Sequence, residues 1–265
     1  MKINTENAKR IVVKVGTSTL THSSGYMNIR KVEKLVSCLA DLHNSGKEII
    51  LVSSGAVACG LAKTGFDRKT LTTEQKQAAA AVGQCQLIDM YDRRFSDFGI
   101  TIAQILLTRS VIDNEERKNN ASTTLNLLID QRIIPIVNEN DTLSNEQIKI
   151  GSNDTLAATV AKLCHADLLI NMSDINGLYD SDPRSNPDAK FIEHVAEVTD
   201  EIFAMGAGAG TARGTGGMAT KLESARYVTE RGIAMIILNG ANPEILYDVF
   251  DGEFVGTYFS AQEAK

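Results

Sequence analysis

The chain has 265 residues, 43% of them hydrophobic, and a formal charge of -6, so it can bury a large core but lacks the clustered Lys and Arg that a nucleic-acid backbone demands. No apolar run approaches the roughly 20 residues needed to cross a bilayer, and the first, Ile11 to Val15, is short and contains Lys14, so neither a membrane span nor a signal peptide is expected. Cys38, Cys59, Cys85 and Cys164 form no C-x-x-C pair and His22, His43, His165 and His194 stand alone, which argues against disulfides and a zinc site and fits a reducing cytoplasm.

Ile11 to Val15 is a β-branched run that predicts a buried parallel strand, ending in the small polar turn Gly16-Thr17-Ser18-Thr19. Asn28 to Ser45 predicts an amphipathic helix, with Asn28 as cap and Gly46 as stop. Glu48 to Val52 is the second strand, followed by Ser53-Ser54-Gly55-Ala56, a short helix and the polar connection Thr64 to Thr72. The alanine-rich stretch Thr73 to Phe98 predicts a long helix ended by Gly99. A strand (Thr101 to Leu107), a helix (Asn114 to Gln131) and a strand (Ile133 to Val137) follow, the last leading into Asn138-Glu139-Asn140-Asp141. Ser152 to Cys164 is a helix capped by Ser152 or Asn153, and Asp167 to Asn171 a strand running into Ser173-Asp174. An exposed connection with Pro183 and Pro187 follows. Ile233 to Leu238 is another buried strand, Pro243 to Phe250 a short helix, and Gly256 to Phe259 a final edge strand. This alternation predicts one α/β unit with a mostly parallel sheet sandwiched between helices.

Chemistry concentrates in a few places. Six of the twelve residues from Gly206 to Gly217 are glycine, and helical spacing of Met218, Leu222, Ala225 and Val228 starts immediately after. A glycine-rich loop opening a helix offers unpaired N–H groups to an anion. Lys221, in the first turn, works against the helix dipole, so its ammonium either serves a phosphate chain or is simply solvated. Lys14 interrupts an apolar strand, and is either aimed at a ligand or snorkels from an edge. Asp154, in a first turn, either orients these lysines or compensates a helix dipole. Polar residues also follow several strands: Gly16-Thr17, Ser53-Ser54-Gly55, Asn138 to Asp141 and Ser173-Asp174. Ligands of open α/β sheets bind beyond such strand ends. Lys14 and Lys221 together suit phosphoryl transfer, which depends mostly on positioning and charge stabilisation.

Val13-Lys-Val-Gly-Thr-Ser18, Val52-Ser-Ser-Gly-Ala56, Ile136-Val-Asn-Glu-Asn-Asp141, Gly151-Ser-Asn-Asp154, Ser173-Asp-Ile-Asn-Gly-Leu-Tyr179, Asp182-Pro-Arg-Ser-Asn186 and Gly214-Thr-Gly-Gly-Met-Ala-Thr-Lys221 run from one end of the chain to the other. In that order they resemble the amino acid kinase family, and within it the glutamate 5-kinases. The resemblance implies the family's three-layer α/β/α sandwich as a single domain over 1–265, with the acceptor on about 1–165 and the nucleotide on about 166–265. It implies transfer of the ATP γ-phosphate to the side-chain carboxylate of L-glutamate, the first step toward proline.

Carried onto this chain, the resemblance gives Lys14, Lys221 and Asp154 catalytic roles. Ser54, Gly55, Asp141 and Asn153 would hold glutamate. Lys14, Ser173, Asp174, Thr215, Gly216, Gly217, Met218, Ala219, Thr220 and Lys221 would hold ATP. The residue types suit these roles: Asp141 can neutralise an ammonium, and Ser54 and Asn153 can donate to carboxylate oxygens. No general base is needed, because a glutamate side chain with a pKa of about 4.3 is already ionised at neutral pH. Mg²⁺ is expected on ATP rather than in a protein metal site. A homo-oligomer (dimer or tetramer), feedback by proline through Thr64 to Thr72, and hand-over to a glutamyl phosphate reductase are further implications; no nucleic-acid or membrane partner is expected. Three departures stand out: Ser152 where many relatives are acidic, Ser173 in place of threonine, and no C-terminal PUA domain before Lys265. Asp141 discriminates against kinases of acetylated or nucleotide acceptors, and the two lysines against a non-catalytic sensor.

Overall fold

The computed structural model describes residues 5–143, 152–206 and 217–263. In chain order, β1 (Arg10–Val15) leads through the short α1 (Thr17–Leu20) to α2 (Ile29–Asn44), which Asn28 caps by accepting from the Lys31 amide. β2 (Glu48–Ser53), α3 (Ala56–Thr64) and α4 (Thr73–Ser96) follow, with α4 opened by a reciprocal Thr72–Gln75 capping box. β3 (Ile102–Leu107), α5 (Arg109–Asp113), α6 (Glu115–Asp130) and β4 (Ile134–Glu139) complete the first part. Then come α7 (Asn153–Leu163), β5 (Leu168–Ser173), the small strands β6 (Leu178–Tyr179), β7 (Phe191–Ile192) and β8 (His194–Val195), and α8 (Asp200–Gly206). α9 (Met218–Thr229), β9 (Ala234–Asn239), α10 (Ile245–Asp251) and β10 (Gly256–Phe259) close the described chain.

Among the described residues an eight-stranded sheet runs β3-β4-β2-β1-β5-β9-β10-β8, parallel except where β10 meets β9 antiparallel. β10 is therefore not the edge strand that the sequence suggests. β8 pairs outside it, and two residues are too few to carry a readable alternation. Strand period sorts the core onto two faces. Ile11, Val13 and Val15 of β1 pack with α2, α4 and α10, whereas Val12 packs with α6, α7 and α9. Burying each such side chain contributes roughly 1.5–3 kcal/mol. Lys14 shares the Val12 face, so its side chain rises toward the layer that contains α7 and α9. No helix among the described residues is long and apolar enough to cross a membrane.

Two positions depend on glycine. Gly55 precedes α3 at φ 117°, a left-handed backbone that other residues resist. Gly83 lets α4 touch the first turn of α3, since a Cβ there would lie 1.8 Å from the Ala56 carbonyl oxygen. Gly206 ends α8, and the glycine-rich residues 207–216 that follow, including Thr215 and Gly216, lie outside the described residues, as does Gly151.

Candidate active site

The three residues assigned to catalysis come from three elements and meet at one carboxylate. Lys14 Nζ lies 2.5 Å from Asp154 Oδ1, and Lys221 Nζ 3.1 Å from Asp154 Oδ2. They are only 7%, 1% and 5% exposed for Lys14, Asp154 and Lys221, so two ammonium groups share one anion out of water. Asp154 reaches this point because Ser152 caps α7, its hydroxyl accepting from the Asp154 amide at 3.2 Å. Lys221 lies in the first turn of α9, just after Gly217. Burial alone would raise the Asp154 carboxyl, but the two lysines outweigh it and hold the group well below the usual carboxylate range. Burial lowers the Lys14 ammonium; Asp154 opposes that effect and Lys221 adds to it.

Sequence reasoning missed a fourth member, Asn171. It is paired in register with Lys14 across β1 and β5 and is 1% exposed. Its Nδ2 donates to Asp154 Oδ1 at 2.9 Å, and its Oδ1 accepts from Lys14 at 3.4 Å. A carboxamide inside Leu168-Leu-Ile-Asn-Met172 is the available signal, but the sequence pattern ends the strand at Asn171, whereas β5 continues to Ser173. The Thr220 hydroxyl lies 3.2 Å from Asp154 Oδ2 and 2.9 Å from the Gly217 carbonyl, and its one hydrogen serves either.

Of the residues expected to hold the nucleotide, Ser173 ends β5 and donates to Asp174 Oδ1 at 3.3 Å, and Asp174 faces Arg184 at 3.8 Å. Asp174 is close enough to Lys14 to favour its charged form. Met218, Ala219 and Thr220 form the first turn of α9, whose start has no side-chain cap. The leading amides of a helix have no intrahelical partners, and Gly217 offers these no side chain.

The residues expected to hold the acceptor form a second polar group directly beside the first, since Asn153 precedes Asp154. Asn153 Nδ2 donates to Ser54 Oγ at 2.6 Å and to Asn138 Oδ1 at 3.1 Å. Gly55 stands at the start of α3, while the Ser54 amide itself donates to the Val15 carbonyl and is not available to a ligand. The residue before Ser54 is braced from below. The Ser53 hydroxyl donates to the Ser54 carbonyl at 2.9 Å and takes a hydrogen from the fully buried Tyr91 phenol at 2.8 Å. Asp141 sits half-buried in the turn after β4. Asn138 and Glu139, expected in a loop, are the buried end of β4.

The fold and the sequence place this chain among known proteins. A carbamate kinase from Giardia lamblia bound to AMP-PNP superimposes with a TM-score of 0.67, covering 96% of this chain and 99% of that one, at 15% identity, which speaks to the fold alone. Glutamate 5-kinases are 50% identical over 264 residues in Clostridium perfringens, covering 98% of each chain, and 52% identical over 256 residues in Clostridium tetani, covering 97% and 96%. The model of the amino acid kinase family matches residues 9–239. The chain belongs to the amino acid kinase family, in the branch of the glutamate 5-kinases.

Proposed function

We propose that the chain transfers the γ-phosphoryl group of ATP to the side-chain carboxylate of L-glutamate, giving L-glutamyl 5-phosphate and ADP, at the start of proline synthesis. The observation that carries this reading is the meeting of Lys14 and Lys221 on Asp154, one residue from an amide and hydroxyl group able to hold a carboxylate. A carboxylate oxygen of glutamate attacks the γ-phosphorus, and the bond from that phosphorus to its bridging oxygen breaks as ADP leaves. Both reactants are anions, and the two ammonium groups offset their repulsion. Asp154 holds both lysines in place before the nucleotide arrives. The acceptor is already ionised, so no side chain has to remove a proton.

Ser54, Gly55 and Asn153 hold the acceptor and Asp141 neutralises its ammonium, which divides the domain into an acceptor part, about 1–165, and a nucleotide part, about 166–265. Ser173, Asp174 and the segment from Thr215 to Lys221 embrace the nucleotide. Mg²⁺ supplies further charge neutralisation when bound. Both Asp154 oxygens already face donors, so the metal fits best on the phosphates, with the protein adding little to its coordination. Self-association as a dimer or tetramer is supported by exposed Val82 on α4, Phe98 just beyond it and Leu106 on the outer strand β3. The free thiols, with Cys38, Cys59 and Cys164 buried, suit a cytoplasmic enzyme. Proline would act through Thr64 to Thr72, between α3, which Gly55 precedes, and α4, which carries Gly83, and a reductase would consume the reactive anhydride.

Hydroxylamine trapping with ATP, Mg²⁺ and a panel of amino acids tests the reaction. A hydroxamate with L-glutamate is expected; a signal only with another acid, or none, would overturn the reading.

A further inference from the structure

One side chain at the acceptor end has no role so far. Gln84 of α4 is 8% exposed; its Oε1 accepts from Asn138 Nδ2 at 3.0 Å, and its Nε2 is buried without a hydrogen-bond partner. Gly83 allows this approach by bringing α4 against the first turn of α3, next to Ser54 and Gly55. From Gln84 the bonds run in one sense. Asn138 donates to Gln84, Asn153 donates to Asn138 at 3.1 Å, and the second hydrogen of the Asn153 amide goes to Ser54 Oγ at 2.6 Å.

The sense of this relay matters at its far end. Because Ser54 Oγ accepts from Asn153, its own hydrogen remains for a ligand. In the reverse sense Ser54 would donate to Asn153, and Gln84 Nε2 would gain Asn138 as a partner. Either sense leaves one atom of the Gln84 amide buried without a partner, because only one of its ends meets Asn138, but only the observed sense keeps a hydroxyl donor for an anion.

We propose that Gln84 is a positioning residue for the amino-acid acceptor: by accepting from Asn138 it fixes the sense of the relay and leaves the Ser54 hydroxyl hydrogen to the acceptor carboxylate. The inference rests on the reading that Ser54 and Asn153 hold the acceptor.

A double-mutant cycle with wild type, Gln84→Met, Ser54→Ala and the double variant tests it. The readouts are the KM values for L-glutamate and ATP, and the rise in Tm on adding L-glutamate, which stays readable if turnover falls below detection. Gln84→Met is expected to raise the glutamate KM about tenfold, as for loss of a hydrogen bond to a charged group, with the ATP KM within about twofold. In the Ser54→Ala background the same change should add less than about twofold, because the hydroxyl it acts through is gone. A full effect in that background, an equal rise in both KM values, or no effect of Gln84→Met alone would overturn the proposal. If Gln84→Met does not fold, Gln84→Leu takes its place. A wild type that neither phosphorylates glutamate nor is stabilised by it would instead remove the proposed function, so the two failures are distinguishable.

Discussion

Replacing Lys221 by Met keeps an unbranched side chain and removes the ammonium. Asp154 is not orphaned by the change. Its Oδ1 keeps Lys14 at 2.5 Å and Asn171 at 2.9 Å, and its Oδ2 keeps the Thr220 hydroxyl at 3.2 Å. Loss of the Lys221 contact to Asp154 then costs about 1.5–3 kcal/mol, as for a charged hydrogen bond, rather than the roughly 3–5 kcal/mol of a buried ion stripped of its partner. For a chain of this length that lowers Tm by about 3–12 °C. Turnover should suffer far more. A cation that meets charge as it develops on the migrating phosphoryl group is worth about 2.7–4 kcal/mol, or about 10²–10³ in kcat. Steady-state ADP release, read beside a circular-dichroism melt, separates the two quantities. The expected result is a cooperatively melting protein with kcat down at least about a hundredfold and a nearly unchanged glutamate KM. A kcat within about threefold of wild type would refute the reasoning, because the ammonium would then not face the transferring group.

Asp141→Ala should raise the glutamate KM at least about tenfold, while the ATP KM stays within about twofold, since a carboxylate facing the substrate ammonium has no reason to touch the nucleotide; equal changes in both would displace Asp141 from the acceptor site. Asn171→Asp adds an anion beside Lys14, which holds the ammonium more tightly and repels phosphate, so kcat should fall about tenfold or more and the alkaline limb of its pH profile should move upward. An unmoved limb with normal kcat would count against contact between Asn171 and Lys14. The pH dependence of stability follows from Asp154, whose folded-state pKa is depressed. On acidification the unfolded chain takes up this proton first, so the contribution is complete above about pH 4 and is lost as pH falls toward the folded value. Between pH 6 and pH 3 it accounts for about 1 kcal/mol of the acid loss, which Asp154→Asn should remove from urea-unfolding curves. An acid limb of unchanged steepness in that variant would contradict the assignment.

How much of this was legible in the sequence depended on whether the signal was local. The β-branched run around Lys14 announced both a buried strand and its anomaly, and the Ser152-Asn153-Asp154 start of α7 could be read from capping preference alone. Local patterns also placed the opening of α9 at Met218. Asn171 escaped because only its register with Lys14 gives it meaning, and register between strands far apart in the chain has no local trace. Gln84 was hidden in an alanine-rich helix, where its neighbours Gly83 and Cys85 pass as ordinary helix content; its contact to Asn138 is tertiary. Tyr91 is similar, a buried residue of the same helix whose phenol supports Ser53. Asn138 and Glu139 misled in the other direction: polar residues suggested a loop, yet neighbouring β3 carries β4 on to Glu139 through the pairs Leu106–Asn138 and Leu107–Glu139. The short strands β6, β7 and β8 offered too few residues for any period to show.

The central claim is that two ammonium groups far apart in the chain serve one migrating phosphorus. A crystal structure with Mg²⁺, L-glutamate and a non-hydrolysable ATP analogue tests it most directly. The account predicts Lys14 Nζ and Lys221 Nζ both within hydrogen-bond reach, about 3 Å, of γ-phosphate oxygens, with the glutamate side-chain carboxylate in line behind the phosphorus. A γ-phosphate lodged away from both lysines, with Lys14 and Lys221 still closed on Asp154, would contradict it.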